Sequence, residues 1–134
     1  MRIKDGVRYY NDSIASSPSR TIAGLRSFPE KVLLIAGGYD KHIPYDVLGP
    51  EICAHVKNLY LGGATGPQIR AAVENLPGCP EIEDCGNFDA AFYAAVRDAK
   101  AGDVVLMSPA SAAFDQFKNF MVRGDHFKKL VKEL

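Results

Sequence analysis

Lys31-Val32-Leu33-Leu34-Ile35-Ala36 is the stretch that most limits what this chain can fold into. Its apolar residues run on without polar alternation, so a strand here needs cover on both faces. His55-Val56-Lys57-Asn58-Leu59-Tyr60-Leu61 and Asp103-Val104-Val105-Leu106-Met107 also read as buried strands. Helical patterns separate them. Ser17 as N-cap and Pro18 at the first helical position open a short helix with Ile22, Leu25 and Phe28 inward, ended by Pro29. A second helix is predicted over Tyr45 to about Ala54, and a third from Pro67 with Ile69, Ala72 and Val73 inward. Pro77-Gly78-Cys79-Pro80 breaks that helix, and Glu81-Ile82-Glu83-Asp84 reads as a weak strand near an edge. Asn87 to Lys100 carries Phe88, Ala91, Phe92, Ala95, Val96 and Ala99 on one helical face, and Gly102 closes it.

Gly6-Val7-Arg8-Tyr9-Tyr10-Asn11 reads as the second strand of a hairpin whose first half has been cut away. At the other end, Ser108-Pro109-Ala110-Ser111-Ala112-Ala113 is a small-residue turn predicted to open a helix reaching the C-terminus. Its apolar positions are Phe117, Phe120, Met121, Phe127, Val131 and Leu134. Strands alternating with helices imply βαβ units with right-handed crossovers. The expectation is one α/β domain over residues 1–134. It is a Rossmann-like three-layer αβα sandwich with a mainly parallel sheet of about six strands, one of them antiparallel.

Ligands of such sheets bind beyond the carboxyl ends of the strands. Three unusual loops leave those ends, at residues 11–17, 37–42 and 108–116, and are expected to gather on one edge. The strand-turn-helix at 103–120 is of the kind that aims backbone N–H groups at an anion. No lysine or arginine lies between Lys100 and Lys118, so a cation must come from elsewhere. Lys41, after Gly37-Gly38-Tyr39-Asp40, can supply it from the end of a central strand, or can be a solvated loop lysine. Asn11-Asp12-Ser13 fits an Asx turn, and its carboxylate can equally accept hydrogen bonds from ribose hydroxyls.

Other readings are excluded by spacing. Gly62-Gly63-Ala64-Thr65-Gly66 places Ala64 and Pro67 where a dinucleotide loop needs glycine. Gly37-Gly38-Tyr39-Asp40-Lys41 lacks the spacing of a Walker A loop. Cys53, Cys79 and Cys85 form no disulfide framework, and His42, His55 and His126 show no metal-ligand spacing. Lys128, Lys129 and Lys132 complement the dipole of the last helix. Lys+Arg 16 against Asp+Glu 16 argues against a nucleic-acid partner. Without a membrane-length apolar run or a signal-peptide core, a cytoplasmic chain is expected.

Three stretches in this order resemble the C-terminal domain of the Mur ligases: Gly6-Val7-x-Tyr9-x-Asn11-Asp12-Ser13-x-Ala15, Leu34-Ile35-Ala36-Gly37-Gly38-x-x-Lys41, and Ser108-Pro109-Ala110 followed by Asp115-Gln116-Phe117-Lys118-Asn119-Phe120-x-x-Arg123-Gly124-x-x-Phe127. The resemblance covers essentially the whole chain. It implies the third domain of an ATP-dependent amide ligase of peptidoglycan precursor synthesis, adding D-glutamate to UDP-N-acetylmuramoyl-L-alanine. In that family ATP phosphorylates a substrate carboxylate and the amine of the amino acid attacks the acyl phosphate. The P-loop and the Mg2+ ligands belong to a central domain not present here, so this chain alone is expected to be inactive. By resemblance, Lys41 pairs with one carboxylate of D-glutamate, Ala113 and Phe114 at the helix start hold the other, and Phe120 lines the amino-acid pocket. Asp12, with Asn11 beside it, approaches the ATP ribose, and Ser16 falls where many members carry threonine. Many members have serine at Ala113, a donor that Ser111 can replace, and lysine at Ile14. The competing expectations are a stand-alone nucleotide- or carboxylate-binding Rossmann-like module without catalysis, and a sibling ligase adding another amino acid.

Overall fold

The computed structural model of the chain describes residues 2–40, 42, 44–113 and 116–134. Among them, β1 (Arg2–Lys4), β2 (Val7–Asn11), β3 (Val32–Ala36), β4 (Val56–Leu61), β5 (Glu81–Asp84) and β6 (Val104–Met107) form one sheet in the order β1-β2-β6-β3-β4-β5. β1 and β2 run antiparallel and the other neighbours are parallel. The helices are α1 (Pro18–Arg26), α2 (Leu48–His55), α3 (Gly66–Val73), α4 (Phe88–Asp98) and α5 (Phe120–Lys132). The expected α/β sandwich with one antiparallel strand is the observed architecture.

The apolar runs are explained by two cores. Leu34, Ala36, Val104 and Leu106 face α1, α2 and α3 through Leu25, Leu48, Ile52, Ile69 and Val73. Their neighbours Leu33, Ile35, Val105 and Met107 face α4 and α5 through Phe88, Phe92, Phe127 and Leu130. Successive strand residues point to opposite faces, so a strand covered on both must be apolar throughout. Among the described residues β5 pairs only with β4 and is mostly exposed, which its acidic residues tolerate at an edge.

Several element boundaries differ from expectation. β1 supplies a three-residue first half to the hairpin, paired Arg2 to Tyr9 and Lys4 to Val7. α2 begins at Leu48, not Tyr45, and keeps His55 as its last residue instead of yielding it to β4. Tyr45 sits in the preceding turn with its ring buried, and its carbonyl accepts from Leu48 N–H. α4 runs Phe88–Asp98 with Asn87 outside as N-cap, its side chain accepting from Ala90 N–H.

The largest correction is at the C-terminus, where α5 starts at Phe120 and not at the small-residue turn. Asn119 caps it by accepting from Val122 N–H at 2.9 Å. The residues before the cap are held by tertiary contacts. Gln116 accepts from Phe88 N–H at 2.7 Å and donates to the Gly62 carbonyl at 2.9 Å, and the Phe117 ring packs edge-on against Phe88. Phe120 and Met121, expected on the inward stripe, are 39% and 60% exposed. Ala113 therefore does not lie at a helix start, and the dipole of α5 is not aimed by the 108–113 turn.

Chain direction across the sheet reverses between β3 and β6. β4 and β5 lie on one side of β3, with β6 and β2 on the other. The chain leaves β3 for α2 on one face and leaves β6 for α5 on the opposite face. Two exit loops that part this way open a crevice between them, the usual ligand position in an open α/β sheet.

Candidate functional site

The three expected loops meet at that switch point. Gly37 N–H donates to the Pro109 carbonyl at 2.9 Å and Tyr39 N–H to the Ala112 carbonyl at 2.8 Å. Tyr39 and Ala112 thereby form an isolated antiparallel bridge between the β3 and β6 exits. On the other side, Gly38 N–H donates to Thr65 Oγ1 at 2.9 Å and Thr65 N–H returns to the Gly38 carbonyl at 3.0 Å. The β2 exit loop joins through Asp12, whose Oδ2 accepts from Ser108 Oγ at 2.7 Å while its own N–H donates to the Met107 carbonyl.

Burial pushes the Asp12 carboxyl above its ordinary value, with the Ser108 hydroxyl and the Arg20 charge pulling the other way. Asp12 and Arg20 line one groove of about 450 Å³ with Tyr10, Gly24 and Phe28. Gly24 makes room for the carboxylate, since a Cβ there would lie 2.7 Å from Asp12 Oδ2. A raised carboxyl means that the folded chain binds the proton more tightly than the unfolded chain. Stability from this group is therefore full below the ordinary carboxylate range and is lost as pH rises through the raised value. Asp12→Asn keeps an acceptor for Ser108. Its stability by urea unfolding is expected to equal or exceed the parent's at pH 7, with the difference vanishing only below about pH 3. A less stable variant at neutral pH would show that the charge itself holds the loop.

Asn11 ties the loop down through both ends of its side-chain amide. Its Oδ1 accepts from Ser13 N–H in the Asx turn and its Nδ2 donates to the Gly124 carbonyl at 3.2 Å. Ser111 is 1% exposed, and its hydroxyl bonds Tyr45 Oη at 2.9 Å and Thr65 Oγ1 at 2.8 Å. Ala113 is buried, and its carbonyl accepts from Gln116 and Phe117 N–H. Ala110 adopts φ 57°, a left-handed conformation unfavourable for a residue with a Cβ. Such strain persists where surrounding contacts over-determine the backbone, as the bonds from Gly37 and Tyr39 do here.

Phe120, half-exposed, borders a second groove of about 330 Å³ with Ser13, Ile14, Met121 and Lys128. Ile14, which is 53% exposed, puts an apolar side chain into that groove beside Lys128 and Asp125, where a lysine would add a second cation. Ser16 is partly buried just before α1. Lys41 and Phe114, central to the expectation, lie outside the described residues. The structure thus brings Asn11, Asp12, Ser111, Ala113 and Phe120 to one edge of the sheet.

Four residues of this edge were not anticipated: Arg20 beside Asp12, Tyr45 and Thr65 on Ser111, and Arg123. Arg123 is 2% exposed and donates from Nε to Ser13 Oγ at 2.9 Å, from Nη2 to the Ser13 carbonyl at 2.6 Å and from Nη1 to the Ser111 carbonyl at 2.8 Å. Its sequence signal is an arginine on the buried stripe of a helix, in step with Phe127, Leu130 and Val131.

Among the described residues no helix is long and apolar enough to cross a membrane. The fold resembles that of a crystal structure described as a domain from a UDP-N-acetylmuramate:L-alanyl-gamma-D-glutamyl-medo-diaminopimelate ligase of Haemophilus ducreyi. The TM-score is 0.60 at 15% identity, covering 98% of this chain and 94% of the other. In sequence, the chain is 51% identical over 140 residues to the UDP-N-acetylmuramoylalanine--D-glutamate ligase of Acetivibrio thermocellus. It is also 51% identical over 134 residues to the ligase of the same name from Clostridium beijerinckii. Each alignment covers 97% of this chain, which spans 29% of the length of those relatives. The family model described as the Mur ligase, glutamate ligase domain matches residues 1–111. By that match and those identities, the chain belongs to the glutamate ligase domain family of the Mur ligases.

Proposed function

We propose that this chain is the C-terminal, amino-acid-binding domain of a ligase that joins D-glutamate to UDP-N-acetylmuramoyl-L-alanine at the expense of ATP. The observation that carries the reading is the 51% identity, over nearly the whole chain, to ligases named for that reaction. The convergence of the β2, β3 and β6 exit loops at the switch point supports it physically. A dianionic amino acid needs a cation on one side and oriented donors on the other. In this reading Lys41 supplies the cation, the turn through Ser111, Ala113 and Phe114 supplies the donors, and Phe120 and Ser16 bound the pocket. Asp12 keeps Oδ1 for a ribose hydroxyl while Ser108 occupies Oδ2, with Asn11 fixing its loop.

ATP and Mg2+ supply the activation of the acceptor carboxylate and are held mainly by the rest of the ligase. The part played by this domain is to bind and orient the diacid so that its amine reaches the activated carboxyl, and to exclude water as the domains close. The test is phosphate release by the full-length ligase supplied with ATP, Mg2+, UDP-N-acetylmuramoyl-L-alanine and one amino acid at a time. Release that depends on D-glutamate, and not on L-glutamate, L-lysine or meso-diaminopimelate, is the expected result. Equal release with another amino acid would assign the domain to a sibling ligase. No release with any would return it to a non-catalytic binding module.

A further inference from the structure

We propose that Arg123 is a positioning residue that locks the β2 exit loop to the turn after β6, so that the nucleotide and amino-acid subsites move as one unit. The inference rests on the reading of those two loops given above, but its structural part stands apart from it. A buried guanidinium is strongly unfavourable unless its donors are met. Here they are met by Ser13 on one loop and Ser111 on the other, segments that lie near opposite ends of the chain. The planar fork suits acceptors arranged around one plane, which an ammonium on a flexible stem does not reproduce.

The lock continues in both directions. On the β2 side, Ser13 Oγ donates to the Phe120 carbonyl at 2.7 Å and Asn11 Nδ2 donates to Gly124. Both neighbours of Asp12 are thereby tied to the first turns of α5. Gly124 permits this approach, because a Cβ there would lie 3.0 Å from Asn11 Nδ2. On the other side, the residue whose carbonyl Arg123 holds uses its hydroxyl to reach Thr65 Oγ1, which accepts from Gly38 N–H. One connected set of hydrogen bonds therefore runs from the loop of Asp12, through Arg123, to the loop that leads to Lys41. Packing alone would be served by a leucine at 123.

Two measurements on Arg123→Lys test the lock. In hydrogen exchange on the full chain, amides of residues 12–15 and 110–113 are expected to exchange roughly tenfold faster, while those of β3 and β4 keep their rates. In the full-length ligase, the KM values for ATP and D-glutamate are expected to rise together, each by roughly tenfold, with a smaller fall in kcat. A purely structural role predicts faster exchange across all strands, and a kcat that falls with the folded fraction while both KM values stay unchanged. That result overturns the proposal, as does loosening of one loop alone. If Arg123→Lys fails to fold, Ser13→Ala keeps the guanidinium but removes the Nε acceptor, and the same two patterns decide. An unaltered ligase without D-glutamate-dependent turnover would defeat the functional reading only, and the exchange pattern would still decide the lock.

Discussion

Lys41→Ala in the full-length ligase is expected to raise the KM for D-glutamate by roughly ten- to a hundredfold, with that for ATP within about threefold. The range is what one charge-assisted hydrogen bond to a carboxylate contributes, about 1.5–3 kcal/mol. The asymmetry follows from the loop to which Lys41 belongs. Gly37 and Tyr39 of that loop are bonded to Pro109 and Ala112 of the turn assigned to the amino acid. Asp12, assigned to the nucleotide, is bonded instead to Ser108 and Met107 at the base of the same turn. Steady-state kinetics with each substrate varied in turn measures both values. Equal effects on the two substrates would remove Lys41 from the amino-acid pocket.

Gly38→Ala carries the second large effect. A Cβ at Gly38 would lie 2.4 Å from the Ala112 carbonyl oxygen, 3.0 Å from Ser111 Cβ and 3.4 Å from Arg123 Nη1. Two of these are parts of the opposing turn and one belongs to the buried guanidinium, so the β3 and β6 exit loops must separate to admit it. Overpacking of this kind costs about 1–3 kcal/mol, and urea unfolding is expected to show a loss in or above that range. Gly86→Ala is the control. Gly86 has a positive φ but, among the described residues, nothing within 4 Å of its added Cβ, so it reports backbone strain without a clash. A Gly38 variant as stable as the parent would mean that the two loops are not joined as described.

What could be read locally in the sequence was the set of elements whose cause is local or binary. The unbroken run from Val32 to Ala36 required a strand covered on both faces, and Leu33 and Leu34 do enter opposite cores. Ser17 and Pro18 marked the start of α1, and Asn87 with the stripe through Phe88 and Phe92 marked α4. The start of α5 was misread because Phe117 continues the apolar spacing of the helix although its ring is placed by Phe88, nearly thirty residues earlier. Within the site, the gathering of loops 11–17, 37–42 and 108–116 followed from where parallel strands end, though the Tyr39–Ala112 bridge between two of them did not. Arg123 did not, because its acceptors on Ser13 lie 110 residues away. Tyr45 was assigned to a helix when its hydroxyl belongs to the network around Ser111. The loops were legible because topology dictates their position, whereas their internal wiring depends on contacts that no local pattern encodes.

The central claim is that D-glutamate is gripped at the joined β3 and β6 exits. The most direct test is a titration of the isotopically labelled chain with D-glutamate, followed amide by amide by NMR. Binding of roughly millimolar strength or weaker is expected, about −4 kcal/mol, because the chain spans 29% of the length of its relatives and, in the proposed reading, the other wall of the pocket belongs to the remainder. The shifts should cluster at residues 37–42, 110–117 and 120. Shifts confined instead to the cleft of Lys57, Tyr60 and Arg97 at the far β4–β5 edge, or a response to L-glutamate equal to that to D-glutamate, would contradict it.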